Sequence, residues 1–580
     1  MTDAGPDPDD SFAPSSGELF GSAGRAVSSI RTRLSAVRST LPTIPPDSRL
    51  RYPIAYVRRC VTIDSRSLAA FRVAIALLIL ADLTLRSRNF RFYYTDDGVV
   101  TQELAASLRE PMASVFFFTS DPTLIAGLFV LHALIAIALL VGYKTRLATV
   151  LSFVFVLSLD AHNPLVLSYA DTLFVMLLFW AIFLPLGERW SIDALQRDRP
   201  SRSAVATLAT AAIMTQMVFM YFVNGQHKYP SERWHSGEAA IIVMGIDEMT
   251  FLLGDFMRHY PELLQLGGRT WFYILLASPL LILLYGRARY PLLILFAGGH
   301  ASFAVTVRIG AFAFVALAGL LVFVQPRLWA DLLAVLSRCR LDRPVAFVRT
   351  ELARPGPLLA DRLPGRLIDV RGRDPVGRTM LSVFVVIAIV VLFVVPAASM
   401  AAAGPYVDDR PLLTDNPIER TTADLPVSQP EWSIFAGPGP RSVDRYYVFP
   451  AKTADGDVFD VYNERPMTYD RPGQQLQRQH DTYRERFYMN SIRRSTGNSP
   501  ELLAEHLCET WADERGIELT NVNMYEVTER ITLETIDEPD RRERSIELLS
   551  RHSCGDHPIT TIQPPDDRDE LPPAERDDAR

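Results

Sequence analysis

The residues SAVATLATAAIMTQMVFMYFVNGQHK (203–228) decide what kind of fold this chain can adopt. Positions 203–223 carry no charged side chain. A helix that crosses a bilayer needs roughly 20 consecutive apolar residues. The stretch therefore predicts a transmembrane helix at 203–223. It runs on to Lys228, one of only three lysines in a chain that contains more than fifty arginines.

The same length and composition test finds other candidate spans along the chain. About nine candidates lie near 66–85, 122–142, 145–160, 169–187, 203–223, 270–286, 289–307, 309–325 and 379–400. A re-entrant or interfacial helix within 237–257 is a further prediction. The sequence thus predicts a polytopic α-helical membrane protein with about nine transmembrane helices, whose first partner is the lipid bilayer.

Basic residues flank these predicted spans in a pattern that indicates their orientation. Short cytoplasmic loops of membrane proteins are enriched in lysine and arginine. The basic positions 58–59, 144–146 and 287–289 and the long connection 331–378 all fall on one side of the predicted membrane. Loop 86–121, with four arginines on the other side, is the exception. We therefore expect a multi-pass protein of the cell membrane with a cytoplasmic N-terminus and an extracellular C-terminal domain.

Charge supports a division between a membrane part and a water-soluble part. Residues 401–580 hold 36 acidic and 21 basic side chains, a net charge of −15, and the first 400 residues carry +8. We predict six segments: a disordered cytoplasmic tail at 1–60, a transmembrane domain at 61–330, a basic cytoplasmic loop at 331–378, a last span at 379–400, an exterior α+β domain at 401–561 and an acidic disordered tail at 562–580.

The exterior domain has local patterns of both strands and helices. The runs YYVFPAKT (446–453) and DVFDVYN (457–463) are typical of a β-hairpin. SPELLAEHLCETWADER (499–515) has helical spacing behind a serine cap, and VTERITLETID (527–537) alternates like a strand. Cys508 and Cys554 would face an oxidising compartment, so a disulfide and two free thiols both remain open.

Several common catalytic signatures are absent from the sequence. There is no CxxC, HExxH, GxSxG elbow, phosphate-binding P-loop or dinucleotide fingerprint. The basic stretch 338–378 has a single aromatic residue, Phe347, among its arginines, and its predicted cytoplasmic position explains those arginines. We therefore expect neither a nucleic-acid partner nor a metal site.

Polar residues at membrane depth are the remaining candidates for chemistry. Arginine stays protonated in proteins, whereas a desolvated lysine can lose its proton and act as a base. The predicted orientation puts Lys228 and His227 on the same outer face as His162 and Asp171. We expect these four side chains to approach one another, and ionisable groups at membrane depth indicate a functional site.

Several of the candidates also have structural interpretations. His162 could cap a span and do nothing else, and Asp171 could be a capping charge at the start of a span. His300 lies within a predicted span, next to Gly298 and Gly299, and either satisfies an interhelical hydrogen bond or contacts a ligand. Trp234 is typical of an interfacial anchor.

Three ordered motifs resemble the HTTM family, the microbial relatives of vitamin K-dependent γ-glutamyl carboxylase. They are HNPLVLSYADTLFVMLLFWAIFLPLGERWSID (162–193), YFVNGQHKYPSERWHSGEA (221–239) and GGHASFAVTVRIGAFAFVAL (298–317). FYYTDDGVV (92–100) and QPEWSIFAGPGP (429–440) are also similar to family elements. The resemblance covers roughly 62–330 and the start of the exterior domain.

This resemblance implies a reaction and a set of residues. Lys228 would be the base that deprotonates reduced menaquinone or a related naphthoquinol, with His162 and Asp171 as supporting catalytic residues. His300 and Trp234 would line the quinone site. O₂ would convert the quinol to an epoxide, and the strong base formed in this step would remove a γ-proton from glutamate in an exported polypeptide. CO₂ would then add to the carbanion.

The chain also departs from the animal carboxylase. His227 stands where that enzyme has a second lysine, and its large substrate-binding region is not recognisable in 401–580. Because the family includes a protein that matures a secreted toxin, the alternative is a non-enzymatic membrane factor for maturation or export of a polypeptide. A transporter is a third interpretation, against which the sequence has no convincing internal repeat.

Overall fold

The computed structural model describes residues 51–108, 114–340, 354–364, 375–403, 425–435 and 439–564. The chain forms two compact units, one made of residues 1–58 and 368–384 and the other of residues 59–367 and 385–580. In the first unit the described residues, 51–58 and 375–384, are helical. The candidate site and the C-terminal sheet described below belong to the second unit. Residues 1–50 of the tail predicted at 1–60, residues 565–580 of the tail predicted at 562–580, and residues 341–353 and 365–374 of the predicted basic loop lie outside the described residues.

Helices dominate the described residues between 51 and 403. They are α1 (Arg51–Cys60), α2 (Ser65–Arg88), α3 (Phe90–Tyr94), α4 (Gln102–Leu108), α5 (Pro122–Val141), α6 (Thr145–His162), α7 (Tyr169–Ala181), α8 (Ile192–Leu195), α9 (Leu208–Lys228), α10 (Glu232–Ser236), α11 (Glu238–Met244), α12 (Leu253–Arg258), α13 (Pro261–Leu276), α14 (Leu280–Leu283), α15 (Tyr290–Thr306), α16 (Phe312–Leu320), α17 (Pro326–Arg338), α18 (Pro355–Arg362), α19 (Pro375–Ile389) and α20 (Val395–Ala403).

Among the described residues, five helices are long and apolar enough to cross a membrane. They are Ser65–Arg88, Pro122–Val141, Thr145–His162, Leu208–Lys228 and Thr379–Met400. A sixth is counted if the bent pair Phe312–Phe323 and Pro326–Arg338 forms one span. The structure thus contains five or six candidate membrane helices where the sequence predicted about nine spans.

Proline accounts for much of this difference, because it interrupts the hydrogen-bond ladder of a helix. The predicted span at 169–187 is the 13-residue helix α7, which ends at Ala181, ahead of Pro185. The predicted span at 270–286 begins earlier, at Pro261, and ends at Leu276, ahead of Pro279. The predicted span at 309–325 is followed by a bend of 106° before Pro326. Hydropathy identified these apolar segments but overestimated their helical lengths.

A six-stranded antiparallel sheet with two helices forms the C-terminal region. Its strands are β3 (Val443–Val448), β4 (Pro450–Thr453), β5 (Val458–Asp460), β6 (Arg465–Pro466), β7 (Leu519–Arg530) and β8 (Arg544–Ser553), and its helices are α21 (Tyr483–Arg493) and α22 (Ser499–Arg515). The long strand β7 is central: β3 and β4 pair with it one after the other along one edge, and β8 pairs along the other. A two-stranded ladder, β1 (Ile63–Asp64) with β2 (Ala204–Val205), joins the loops before α2 and α9.

The local predictions for this region are confirmed in part. The hairpin is present, with Ala451 opposite Phe459, and the predicted helix 499–515 is α22, although its N-cap is Asn498 rather than a serine. The strand predicted at 527–537 is wrong in its bounds, because β7 begins at Leu519 and ends at Arg530. Strand β8 was not predicted. The structure also resolves the cysteine alternatives, since Cys508 and Cys554 form a disulfide.

The C-terminal sheet packs on the loop that follows α11. The buried Asp444 carboxylate accepts hydrogen bonds from the amides of Asp247 and Glu248, at 2.9 and 2.8 Å. Glu248 is itself ion-paired with Arg441 and with Arg486. Burial alone would raise the pKa of Glu248, but these two guanidinium groups outweigh it and lower the pKa to about 2. The helices and the C-terminal region also share one continuous hydrophobic core.

Candidate functional site

Lys228 is the last residue of helix α9, which contains the stretch that opened the sequence analysis. The helix begins after Thr207, whose hydroxyl caps the first turn, and ends ahead of Pro230. Tyr221, Asn224 and Lys228 are spaced by three and four residues. Because the helix repeats every 3.6 residues, these three side chains lie on one face.

The Lys228 side chain is buried, with only 1% of its surface exposed. Its Nζ donates hydrogen bonds to Asn224 Oδ1, at 2.9 Å, and to the backbone carbonyl of Ile434. Nζ also lies 4.6 Å from the centroid of the Trp234 ring. Within the described part of the chain, no carboxylate forms an ion pair with Lys228. The amine is therefore held by two neutral oxygens and an aromatic face.

Residues 429–435, which we call the strap, cover this end of α9. Asn224 Nδ2 donates to the carbonyls of Trp432 and Ile434, at 2.7 and 3.1 Å. The side-chain amides of Gln216 and Gln429 pair reciprocally at 2.9 and 3.2 Å. Trp432 is fully buried, and its φ of 53° lies in a region that bulky residues rarely adopt. Hydrogen bonds from two side chains of α9, Asn224 and Gln216, thus hold the strap against the helix.

A cavity of about 630 Å³ opens beside Lys228. Asn224, Tyr221 and Lys228 contribute one wall, and α11, α13 and α15 contribute the others. The remaining polar side chains in its lining include His300 and Trp234, whereas most other lining residues are apolar or aromatic. The structure therefore brings His300 and Trp234, two of the sequence-predicted site residues, to the same cavity as Lys228.

Two residues of the cavity lining each have a buried ring nitrogen without a hydrogen-bond partner in the described part of the chain. His300 Nδ1 and Trp234 Nε1 have no hydrogen-bond partner among the described residues. The other ring nitrogen of His300, Nε2, lies 2.9 Å from the hydroxyl of Tyr221, which is also buried. Buried polar atoms without partners are uncommon in native proteins. A ligand in this cavity could supply partners for both.

His162, predicted as a supporting catalytic residue, lies elsewhere. Its Nε2 is 3.2 Å from the backbone carbonyl of Tyr94, and its ring packs on those of Tyr94 and Phe116. It does not line the Lys228 cavity. The physical reason is that α6 ends at His162 and turns it toward the segment after α2, away from α9.

Asp171 is also outside the Lys228 cavity and takes part in an ion-pair cluster. Its carboxylate caps the first turn of α7 through Ser168 and pairs with Arg484, at 2.9 Å. Arg484, on α21, also forms an ion pair with Asp82. Burial alone would lower the pKa of Arg484, but the carboxylates of Asp171 and Asp82 outweigh burial and raise that pKa. Arg86 of α2 pairs with Asp82 at 2.7 Å. Asp171 therefore connects the C-terminal region to the membrane helices.

Asn224 and the strap were missed as site elements by the sequence analysis. Asn224 lies four residues before Lys228, and this spacing was the signal available in the sequence. The strap is more than 200 residues from Lys228 in the chain, and only its resemblance to a family element marked it. In the described residues, no group of three or more His, Cys, Asp or Glu side chains is placed to hold a metal ion.

These features define a helical membrane protein with a buried lysine in the wall of an apolar cavity. The HTTM domain family matches residues 61–329, so this part of the chain is an HTTM domain. It includes Lys228, Trp234 and His300, whereas the strap lies outside it. Comparison with curated proteins and with solved structures finds no significant match. The family is associated with vitamin K-dependent carboxylase-like membrane proteins.

Proposed function

We propose that the chain is a quinol-dependent membrane enzyme in which Lys228 removes a proton from a reduced naphthoquinol, such as reduced menaquinone. The reaction would be coupled, with O₂ and CO₂, to carboxylation of glutamate in an exported polypeptide. One observation carries the proposal: a buried lysine amine, with no carboxylate partner in the described residues, lines an apolar cavity. Such a site is physically suited to a neutral amine that acts as a base.

The cavity fits a naphthoquinol in size and in chemistry. Ligand pockets of drug-sized molecules span about 300–1,000 Å³, and this cavity measures about 630 Å³. Its walls include the aromatic rings of Trp271, Tyr221 and Phe303, which suit a flat ring system. A naphthoquinol also carries two oxygens on opposite sides of its ring. Lys228, His300 and Trp234 are among the polar side chains of the lining that could contact these oxygens.

The contacts of Lys228 suit both protonation states of a base. A neutral amine has two N–H bonds, which match the acceptors Asn224 Oδ1 and Ile434 O and leave the lone pair for a proton. When Nζ takes a proton, the resulting ammonium is stabilised by the face of the Trp234 ring, 4.6 Å away. Asn224 acts as a positioning residue, because it holds Nζ and the strap together.

The other groups bind, orient and exclude water. A bound quinol supplies the acidic hydroxyl and the reducing power that the reaction with O₂ requires. His300, oriented by its contact with Tyr221, would hydrogen-bond one quinol oxygen through Nδ1, which has no partner among the described residues. The strap covers the Lys228 end of the cavity and so limits the access of water, which would otherwise compete for the proton.

We also propose that the C-terminal region is extracellular and that the N-terminus is cytoplasmic. The basic loops support this orientation, as does the Cys508–Cys554 disulfide, because disulfides persist in oxidising compartments. In intact cells, a membrane-impermeant maleimide should label a cysteine introduced at the exposed Lys452 but not the exposed Cys339. Labelling of Cys339 alone would reverse the orientation.

The proposal is tested with protein purified into lipid and supplied with reduced menaquinone, O₂ and bicarbonate. Mass spectrometry of the quinone epoxide compares wild type with Lys228→Arg and Lys228→Ala, and Lys452→Arg is the matched control. We expect epoxide from wild type and the control but from neither Lys228 variant, because arginine keeps the charge and cannot become a neutral base. Absence of epoxide from wild type with bound quinol would refute the proposal and favour a non-enzymatic maturation factor.

A further inference from the structure

We propose that a groove between α2, α15 and α16 binds a zwitterionic phospholipid whose headgroup carries a primary ammonium, such as phosphatidylethanolamine. The groove has a volume of about 1000 Å³, and its lining does not include Lys228. Helix α15 contributes to the walls of both cavities, for example through Ile294. The inference concerns this second cavity alone and does not rest on the proposed function.

The long walls of the groove are apolar and partly exposed. On α2 the lining extends from Ala74 to Arg88, a helical rise of about 21 Å. The hydrocarbon part of one bilayer leaflet is about 15 Å thick. Leu77 and Phe314 also line the groove, and each is 51% exposed. Because exposure of such large apolar side chains to water is unfavourable, the groove is suited to the acyl chains of one leaflet.

Charged side chains of α2 and of the C-terminal region also line the groove. The lining contains four carboxylates and four guanidinium groups. Five of these eight groups pair with one another, namely those of Asp82, Asp160, Asp171, Arg86 and Arg484. Since positive and negative groups balance in the lining, a ligand with a net charge would leave one sign uncompensated. A zwitterionic headgroup would not.

Three charged residues of the lining remain for the headgroup. Arg88 and Asp481 are exposed, and neither forms an ion pair with another described residue. Arg308 donates three of its five N–H groups to the backbone carbonyls of Gln477, His480 and Asp481. Guanidinium groups with free N–H donors suit a phosphate, and a free carboxylate suits an ammonium. These residues therefore match the two charges of phosphatidylethanolamine.

A second and independent observation also indicates a ligand. Tyr483 and Arg484 line the groove and are only 9% and 4% exposed. The Tyr483 hydroxyl and Arg484 Nε are buried and have no hydrogen-bond partner within the described part of the chain. Buried donors without acceptors are uncommon in native proteins. The phosphate and ester oxygens of a phospholipid would supply acceptors, and the lipid would then join the C-terminal region to α2 and α16.

The test is native mass spectrometry of the full-length protein in detergent. The probes are phosphatidylethanolamine, phosphatidylglycerol and phosphatidylcholine with identical acyl chains. We expect wild type to retain phosphatidylethanolamine about threefold better than the other two, the effect of one exposed charge pair. Phosphatidylglycerol has no ammonium, and the methyl groups of phosphatidylcholine prevent its ammonium from donating hydrogen bonds to Asp481.

Two variants separate the charges of the headgroup. Asp481→Asn should weaken retention of phosphatidylethanolamine about threefold and leave phosphatidylglycerol unchanged, because only the first lipid loses a charge partner. Arg88→Gln should weaken retention of both lipids, since both carry the phosphate. Asp556→Asn and Arg146→Gln replace exposed residues outside the groove. These matched controls should retain every lipid as wild type does.

A phosphatidylethanolamine with a photoactivatable diazirine on its acyl chain locates the bound lipid. Crosslinks should concentrate in 74–88 and 312–320 relative to α5, whose exposed Leu134 reports contact with bulk lipid. Equal crosslinking of α5, or equal retention of the three lipids by wild type, would overturn the proposed site. Preferential retention of phosphatidylglycerol would overturn the zwitterionic headgroup. A lipid-free dimer in the same spectra would instead assign the groove to a second copy of the chain.

Discussion

Substituting Asn224 by aspartate tests whether Lys228 works as a neutral amine. Asn224 Oδ1 accepts a hydrogen bond from Lys228 Nζ at 2.9 Å, so Asn224→Asp places a carboxylate against the amine with almost no change of shape. At this separation and an effective dielectric constant of about 20, the attraction between the two charges is about 6 kcal/mol. The ammonium form of Lys228 is thereby stabilised over the neutral amine.

Two costs reduce that figure. The new carboxylate loses its own hydration, and it faces the carbonyls of Trp432 and Ile434, to which Asn224 now donates. If these costs remove about half of the attraction, about 3 kcal/mol remains, which corresponds to a rate loss of roughly 100-fold. The rate should recover as the pH rises, with the profile displaced by about two pH units.

The assay is the rate of quinone epoxide formation in lipid between pH 6.5 and 9.5. Asn523→Asp is the matched control, because the buried Asn523 side chain also donates to one backbone carbonyl, of Thr560, and accepts from one amide, of Ile562. That control should stay within about twofold of wild type at every pH. A wild-type rate and an unshifted profile for Asn224→Asp, with Lys228→Arg inactive, would refute the argument that Lys228 must be neutral.

Two further predictions concern stability. The Cys508–Cys554 disulfide closes a separation of 46 residues, so Cys508→Ser with Cys554→Ser should destabilise the C-terminal region by about 4 kcal/mol on the chain-entropy estimate. Guanidinium unfolding followed by tryptophan fluorescence measures the loss, and Cys60→Ser with Cys339→Ser, the two cysteines outside this disulfide, is the control. The pKa of Glu248 in the folded protein is about 2, below its usual value. Ionised Glu248 therefore adds about 3 kcal/mol to the free energy of unfolding above about pH 4.5, and this stabilisation is lost as the pH falls toward 2. The melting temperature should therefore fall less steeply between pH 6 and pH 3 in Glu248→Gln than in wild type. Parallel plots of melting temperature against pH would contradict a stabilising role for the ionised Glu248.

Much of the membrane part could be read from local sequence. Helices α2, α5 and α9 follow from uninterrupted apolar runs with capping residues such as Asp121 and Thr207 at their starts. Helix ends were harder, because hydropathy continues across residues such as Pro279 that a helix does not cross. In the C-terminal region, the hairpin was predictable because its partners are adjacent in the chain. The pairing of β7 with β8 was not, since their register depends on packing.

The candidate site shows the same division between local and distant information. The sequence singled out Lys228 because a rare residue ends an apolar helix. Its proximity to His300 and to the strap depends on how α9, α15 and the C-terminal region pack, and periodicity carries no information about such contacts. His162 and Asp171 were expected near Lys228 because all three were predicted at the same membrane face. A position at one face of the membrane does not tell which cavity a side chain lines.

The sequence by itself determined the class of this protein, a helical membrane protein with an HTTM domain, and the lysine at the end of α9. The length of an apolar run and the type of a residue are properties of single segments, so they can be read from the sequence without knowledge of the fold. The tertiary structure alone decided that Asn224 and Ile434 hold Lys228, that His300 and Trp234 share its cavity, and that Asp171 pairs with Arg484. Those contacts join residues far apart in the chain, and their geometry is fixed only when the helices and the sheet pack together.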